Sequence, residues 1–467
     1  MAVRADWRCL AASVLILASA ASPVAASSEA ATAARSPAIA TAAEATPRPG
    51  GKPTPLASAA QWATARLSWL ADAAQDAADA VLELPRQLLL LPIRLGYYPG
   101  LKREQDEIPE LVRFPCWREV AAARNSSGGD VAGSVHRLRP QDIAVIAALG
   151  DSITAANGAM AYTEDETRLN YRGVSAMGGG RGTWRRYLTL ANILREFNPR
   201  LRGFALRPAE TGTPLAGLNL AENGALDDSL IHQARRLVLM LRRDPFVDMG
   251  RHWKLVNILI GGNDLCNEYC HVDDGKDSAD GHRQQLEAAL LYLRRHLPRT
   301  LVNIIHIPNL LQLRDMQNVP VVCHVKQLVL CSCLFGGAER VKATSVAALL
   351  EGYWDAERQL ALDDRFESEE FAVVLQPFFL GVESPADVNT WFGAAPDLSY
   401  FAPDCFHFSQ KAHALIANAL WNNMLEPVGN KTEGWRPLMQ RFLCPSAEAP
   451  YFFTRNNSNK FFDTGRQ

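Results

Sequence analysis

The sequence predicts an α/β protein of three layers, with a central parallel sheet between two layers of helices. Three observations carry this reading. Four apolar, β-branched runs stand between residues 142 and 379. They are nearly continuous rather than alternating, as strands covered on both faces require. Amphipathic stretches of helical period separate them, the order expected of parallel strands joined by crossover helices. Polar clusters follow the runs, and open α/β sheets gather ligands outside the carboxyl ends of their strands.

The chain opens with a different pattern. Arg4 and Arg8 precede an apolar stretch from Cys9 to Ala20, and Val24-Ala25-Ala26 supplies small residues for cleavage. Residues 1–26 are read as a secretory signal peptide, since the apolar stretch is too short to span a bilayer. Residues 27–60, dominated by Ala, Thr, Ser and Pro, form a low-complexity linker. Over 61–100 the period turns helical, with Trp62, Ala65, Trp69, Ala73, Ala77, Ala80 and Leu84 at steps of three and four. The leucine-rich run that follows is broken by Pro92. It falls far below the roughly 20 residues of a membrane span, which makes 85–98 a candidate for peripheral membrane contact or for packing on the main domain.

One domain is expected over 101–450. Its strands are "DIAVIAAL" (142–149), "WKLVNILI" (253–260), "LVNIIHI" (301–307) and "FAVVLQPFF" (371–379). Its helices include "SLIHQARRLVLMLRR", "HRQQLEAALLYLRRHL" and "SVAALLEGYWDAERQLAL", with "KAHALIANALWNNML" after the last polar loop. Residues 451–467 read as a C-terminal tail without an apolar end, so neither a transmembrane nor a lipid anchor is expected.

With 467 residues, 48% apolar, the chain can bury a large core. A formal charge of −2 gives no signature of a nucleic-acid partner. Removal of the leader takes Cys9 and leaves Cys116, Cys266, Cys270, Cys323, Cys331, Cys333, Cys405 and Cys444. An even number in an exported chain favours disulfides. Cys266 and Cys270 have the spacing of a zinc pair, but no second ligand pair follows them, so no metal is expected. Sequons at Asn125, Asn430 and Asn456 fit export.

The chemistry is sought at the strand ends. The first strand runs into Gly150-Asp151-Ser152. Taken alone this is a turn, for Gly, Asp and Ser all end strands. The other clusters change the weighing. "GGNDLC" with Asn263 follows the second strand, "LNLAENGALDDS" with Gly224 leads into a helix, and "PDCFHFSQ" with Asp404 and His407 precedes the last helix. A serine hydroxyl needs a base, histidine suits that work near neutral pH, and an acid three residues earlier can fix the imidazole tautomer. The N–H groups of Ser152 and Gly224 and the Asn263 amide would then serve as oxyanion donors. Asp151 is read as orienting the turn. His306 and His324 are read as structural, and His413 as a helix residue facing its neighbours.

In these residues the sequence resembles the SGNH, or GDSL-type, serine hydrolases, whose four marker residues would fall on Ser152, Gly224, Asn263 and His407. Ile153 stands where the family's motif has Leu. The blocks "NYRGVSAMGGG", "LIGGNDLCNEYC", "FAVVLQPFF" and "DCFHFSQKAHALIANALWNNMLEPVGNKT" extend the resemblance, over roughly 110 to 455, to the catalytic unit of animal-type phospholipase B. The resemblance implies a flavodoxin-like three-layer SGNH fold and a Ser152–His407–Asp404 triad working without cofactor. It also implies an esterase that hydrolyses phospholipids and lysophospholipids at a lipid surface. Other acyl esters (acylglycerol, retinyl ester, acetylated sugar), or a non-catalytic lipid-binding role for the same fold, remain as alternatives. The α/β-hydrolase elbow is excluded, because the nearest match, "GVSAM" at 173–177, lacks the second glycine. The protein is expected outside the cell or in the lumen of the secretory route. The apolar loops 394–401 and 330–337 are expected to line an acyl-binding cleft.

Overall fold

The computed structural model describes residues 101–125, 131–270, 278–316, 319–336, 343–382, 388–390, 393–395 and 397–464. The expected leader, linker and helical segment, with the candidate contact at 85–98, lie outside these residues.

Strands β1 (Ile143–Gly150), β2 (Trp253–Leu259), β3 (Thr300–Ile305) and β4 (Phe371–Gln376) pair in parallel in the order β1-β2-β3-β4. Each coincides with an apolar run of the sequence. The run 371–379 stops pairing at Gln376 because Pro377 has no N–H to continue the ladder. Beyond the free edge of β1, Arg202 and Asn219 form parallel bridges to Val145 and Ala148, so two short segments cover that edge.

Side-chain alternation separates the faces. Ile146, Leu255, Leu301 and Ala372 stand in one cross-strand row and pack against helices α2 (Leu190–Phe197) and α9 (Gln410–Met424). The next row, Ala147, Val256, Val302 and Val373, packs against α3 (Leu230–Arg243) and α4 (Ala279–His296). Both faces are buried, which explains why the strands read as continuous apolar runs. Each fully buried Leu, Ile or Val contributes about 1.5–3 kcal/mol relative to exposure. Within the sheet, Gln376 donates to Asn303, Asn303 to Asn257 and Asn257 to the Met177 carbonyl, each at 2.8 Å. The buried amides therefore link into one chain across the sheet, in which Gln376 Oε1 is left without a partner among the described residues.

The remaining helices are α1 (Trp117–Asn125), α5 (Leu311–Asp315), α6 (Val321–Leu330), α7 (Ser332–Phe335), α8 (Ala343–Leu362) and α10 (Arg455–Thr464). β5 (Val388–Thr390) pairs antiparallel with β6 (Gly393–Ala395). All eight cysteines among the described residues are paired, as Cys116–Cys444, Cys266–Cys331, Cys270–Cys333 and Cys323–Cys405. The zinc-like pair thus goes into two disulfides.

Within the expected tail 451–467, the described residues 451–464 pack on the domain. Phe452 and Phe453 are buried, and α10 is docked by Asn457, whose Nδ2 donates to the His136 carbonyl at 2.9 Å. Burial of those two rings removes apolar surface that a free tail would leave in water. Among the described residues, no helix is long and apolar enough to cross a membrane.

Candidate active site

The sheet places three of the polar clusters at its carboxyl end. β1 ends at Gly150, whose φ of +147° and close approach to β2 exclude a side chain: a Cβ there would lie 2.1 Å from the Leu259 carbonyl oxygen. Gln233 on α3 holds the same residue from below, accepting its N–H at 2.8 Å and donating to its carbonyl at 2.8 Å. Asp151 then folds back, its Oδ1 accepting the Ile153 N–H at 2.9 Å, an Asx turn that lifts Ser152 out of the strand.

His407 comes to Ser152 from the loop before α9. Its Nε2 lies 2.9 Å from Ser152 Oγ, and its Nδ1 lies 2.6 Å from Asp404 Oδ2. The other Asp404 oxygen accepts the backbone N–H groups of Phe406 and His407, each at 3.0 Å. With the carboxylate accepting at Nδ1, the neutral imidazole presents Nε2 as an acceptor to the serine hydroxyl. Ser152, Asp404 and His407 are all more than nine-tenths buried.

The electrostatics agree with this arrangement. Burial would lower the His407 pKa, but the Asp404 charge and hydrogen bond outweigh it, and the group is raised above the ordinary histidine value. Burial likewise opposes ionisation of Asp404, but His407 and the two N–H donors hold it below the usual carboxylate range. Burial pushes Asp151 up to about 6, against the pull of the Ile153 N–H and His407.

Besides the Ser152 N–H, the candidate oxyanion donors lie on two neighbouring loops. The first leaves the segment paired with β1 and carries Gly224, whose φ is +69°. This loop meets the nucleophile strand directly, because Glu222 N–H donates to the Gly150 carbonyl at 3.1 Å. The second loop leaves β2. Its Asn263 donates from Nδ2 to the Ala225 carbonyl at 3.0 Å, tying the two loops together. An amide nitrogen carries two hydrogens, so one is still available to a ligand.

An apolar cavity adjoins the histidine. Phe406 and Phe408, the two neighbours of His407, and Ile153, the neighbour of Ser152, all line it, together with Leu313, Phe379 and Trp435. Of the loops expected around an acyl site, 394–401 contributes Tyr400 and Phe401, whereas the described residues of 330–337 contribute none of the lining. Cys331 and Leu334 are instead core residues packed with Leu310 and Tyr353, because two disulfides draw that segment inward.

The other histidines divide. His413 is buried, pushed down to about 3 by burial and by His407, and its Nδ1 accepts the Ala176 N–H at 3.3 Å. His306 is buried and paired with Glu357. His324 is exposed on α6. Gln233 and the buried group formed by Asp227, His282 and Glu357 were not apparent from the sequence. Only the sheet and its helices bring such distant residues together, and no local spacing marks them.

A family model described as GDSL-like lipase/acylhydrolase matches residues 146–420. The rat protein "Phospholipase B1, membrane-associated" is 38% identical over 335 residues, covering 70% of this chain and 23% of the relative. Its human counterpart of the same description is 38% identical over 372 residues, covering 78% of this chain and 25% of the relative. The chain therefore spans about a quarter of the length of these curated relatives.

Proposed function

This chain belongs to the GDSL-like lipase/acylhydrolase family, and we propose that it is an exported serine esterase acting on phospholipids and lysophospholipids. The observation that carries the reading is the continuous chain Ser152 Oγ–His407–Asp404 at 2.9 and 2.6 Å, beside a cavity lined by the apolar neighbours of both Ser152 and His407. A binding module has no use for a base held against a buried serine. The paired cysteines support export.

In the proposed reaction Ser152 Oγ attacks the acyl carbonyl while His407 Nε2 takes the hydroxyl proton. Asp404 holds the imidazole in the required tautomer and stabilises the imidazolium. The backbone N–H groups of Ser152 and Gly224 and the Asn263 amide receive the oxyanion. Losing one such donor typically costs about 2.7–4 kcal/mol of transition-state stabilisation. His407 returns the proton to the leaving alcohol, and the ester bond breaks. Water, deprotonated by the same histidine, then attacks the acyl-enzyme, and the free fatty acid departs as Ser152 recovers its proton.

The test uses phosphatidylcholine with distinguishable acyl chains at its two positions, offered without added calcium to wild type and Ser152→Ala. Release of both fatty acids, reduced on the order of 10⁴-fold or more in the variant, is the expected result. A wild type that reacts with a fluorophosphonate at Ser152 but releases no fatty acid from this lipid or its lyso form would overturn the phospholipid reading.

A further inference from the structure

Beneath the two donor loops lies a buried polar group that the proposed reaction does not use. Asp227, three residues after Gly224, and Asp264, directly after Asn263, meet there. The Asp227 N–H donates to the Asp264 carboxyl oxygens at 3.2 and 3.3 Å. The Asp227 carboxyl in turn lies 3.2 Å from His282 Nδ1, on α4, and His282 Nε2 lies 3.6 Å from Glu357 Oε1, on α8. The far side of Glu357 is paired with His306, which directly follows β3. His282 is wholly buried and stacked on Tyr353, ring centroids 4.1 Å apart at 8°.

The Asn263 loop rests on this stacked pair. Gly261, with φ of +110°, lies so close that a Cβ would be 3.1 Å from His282 Cε1 and 3.3 Å from Tyr353 Cδ2. His282 therefore touches both donor loops. It holds the Gly224 loop through Asp227 and supports the Asn263 loop through Gly261, while the Glu357 carboxylate faces its Nε2 from behind as an ion pair at 3.6 Å, without a hydrogen bond. Charge makes this contact stiff. Burial opposes a charged His282, but Asp227 and Glu357 outweigh it and raise the group to about 9. Burial and the Asp227 charge push Asp264 up to about 8. A cation locked between two carboxylates in a low-dielectric interior resists displacement, because separation would leave buried charges unpaired.

We propose that His282, held between Asp227 and Glu357, is a positioning residue that sets the relative placement of the Gly224 and Asn263 oxyanion donors. The inference rests on the ester-hydrolase reading given above. Oxyanion stabilisation depends on donors aimed at the developing charge, and a displacement of about 1 Å can cost on the order of 10²-fold in rate. His282→Asn should therefore lower kcat on that order, with KM for a soluble ester little changed. Affinity for a trifluoromethyl ketone, whose hemiketal oxyanion occupies the donor site, should fall in proportion.

The deciding measurement is a double-mutant cycle on p-nitrophenyl butyrate with wild type, His282→Asn, Asn263→Ala and the double variant. If His282 acts through the donor loops, the double variant falls short of the product of the two single losses by at least about fivefold. Losses that multiply, or a ketone affinity unchanged in His282→Asn, would overturn the proposal. If His282→Asn does not accumulate as folded protein, Glu357→Gln, close to isosteric, takes its place in the same cycle. A wild type inactive on every ester would sink the ester-hydrolase reading and this inference with it, whereas an active wild type with multiplying losses would sink only the inference.

Discussion

Cys323 on α6 is disulfide-bonded to Cys405, which stands between Asp404 and His407 in a left-handed backbone conformation at φ +60°. A residue with a Cβ adopts that conformation at a cost of roughly 1–2 kcal/mol, so the turn needs support from outside itself. The same helix provides more of it. Gln327 Nε2 donates to the Cys405 carbonyl at 3.0 Å, and Lys326 Nζ donates to the Pro403 carbonyl at 2.8 Å. Asp404 and His407, the acid and base of the proposed triad, thus sit on a turn clamped by α6.

Removing the clamp should loosen the triad before it unfolds the domain. In Cys323→Ala/Cys405→Ala the protein should lose about 2–5 kcal/mol of stability, the usual loss for a native disulfide. Ester hydrolysis at a temperature where the variant remains folded should also fall. Fluorophosphonate labelling rates at Ser152 report the local effect. A variant that labels as fast as wild type would show that the turn holds without the disulfide.

The pH dependence follows from His407. The proposed hydrolysis needs the neutral imidazole, and Asp404 raises the pKa in the folded protein, so activity should fall as pH drops through a midpoint above the ordinary histidine value of about 6.5. Asp151 contributes to that midpoint, since its charge also favours the imidazolium. In Asp151→Asn the acid limb of kcat/KM should move to lower pH, while the amide oxygen can still accept the Ile153 N–H. Asp404→Asn removes the stronger influence and should move the limb further, with kcat reduced on the order of 10⁴-fold. An acid limb unmoved in both variants would show that His407 is not the group being titrated.

The fold was legible wherever burial left a linear trace. β1 to β4 read as unbroken apolar runs because both faces of the sheet are covered, and α3, α4, α8 and α9 read from their three- and four-residue steps. The edge beyond β1 was less legible. Among the described residues only Arg202 and Asn219 bridge to the strand, and two single residues leave no apolar run to read. α10 was missed because "TRNNSNKFF" is polar enough to look free, while its attachment runs through Asn457 and Ser458 to residues remote in sequence. In the candidate site, the pairing of Asp404 with His407 is local and could be read from a three-residue spacing. Their meeting with Ser152, across 255 positions, was read from the polar clusters at the strand ends together with the ordered blocks of a family resemblance, not from any local spacing. Gln233 under Gly150 and His282 under Gly261 leave no trace in sequence, because one amide or one imidazole in a helix has many possible uses.

The cavity beside His407 makes the acyl-chain reading testable apart from the headgroup. One wall is formed by Ile153, Phe406 and Phe408, the chain neighbours of Ser152 and His407. The opposite wall is different: Leu313 comes from α5 and Trp435 from the loop after α9. Phe379 and Phe408 stack at 6.0 Å, and Trp435 packs edge-on against both, a rigid apolar surface suited to methylene chains. A side chain that fills the space at Leu313 should shorten the chain the site accepts without disturbing the triad. With Leu313→Trp, cleavage of p-nitrophenyl acetate should stay within about threefold of wild type, while cleavage of the palmitate ester should fall by tenfold or more. That loss matches the roughly 10–200-fold that one misfitted methylene can cost in a hydrophobic pocket. Trp435→Ala should shift preference the other way, towards longer or bulkier chains. Equal losses on acetate and palmitate would place the acyl chain elsewhere, because only a residue lining its path can separate the two substrates by length.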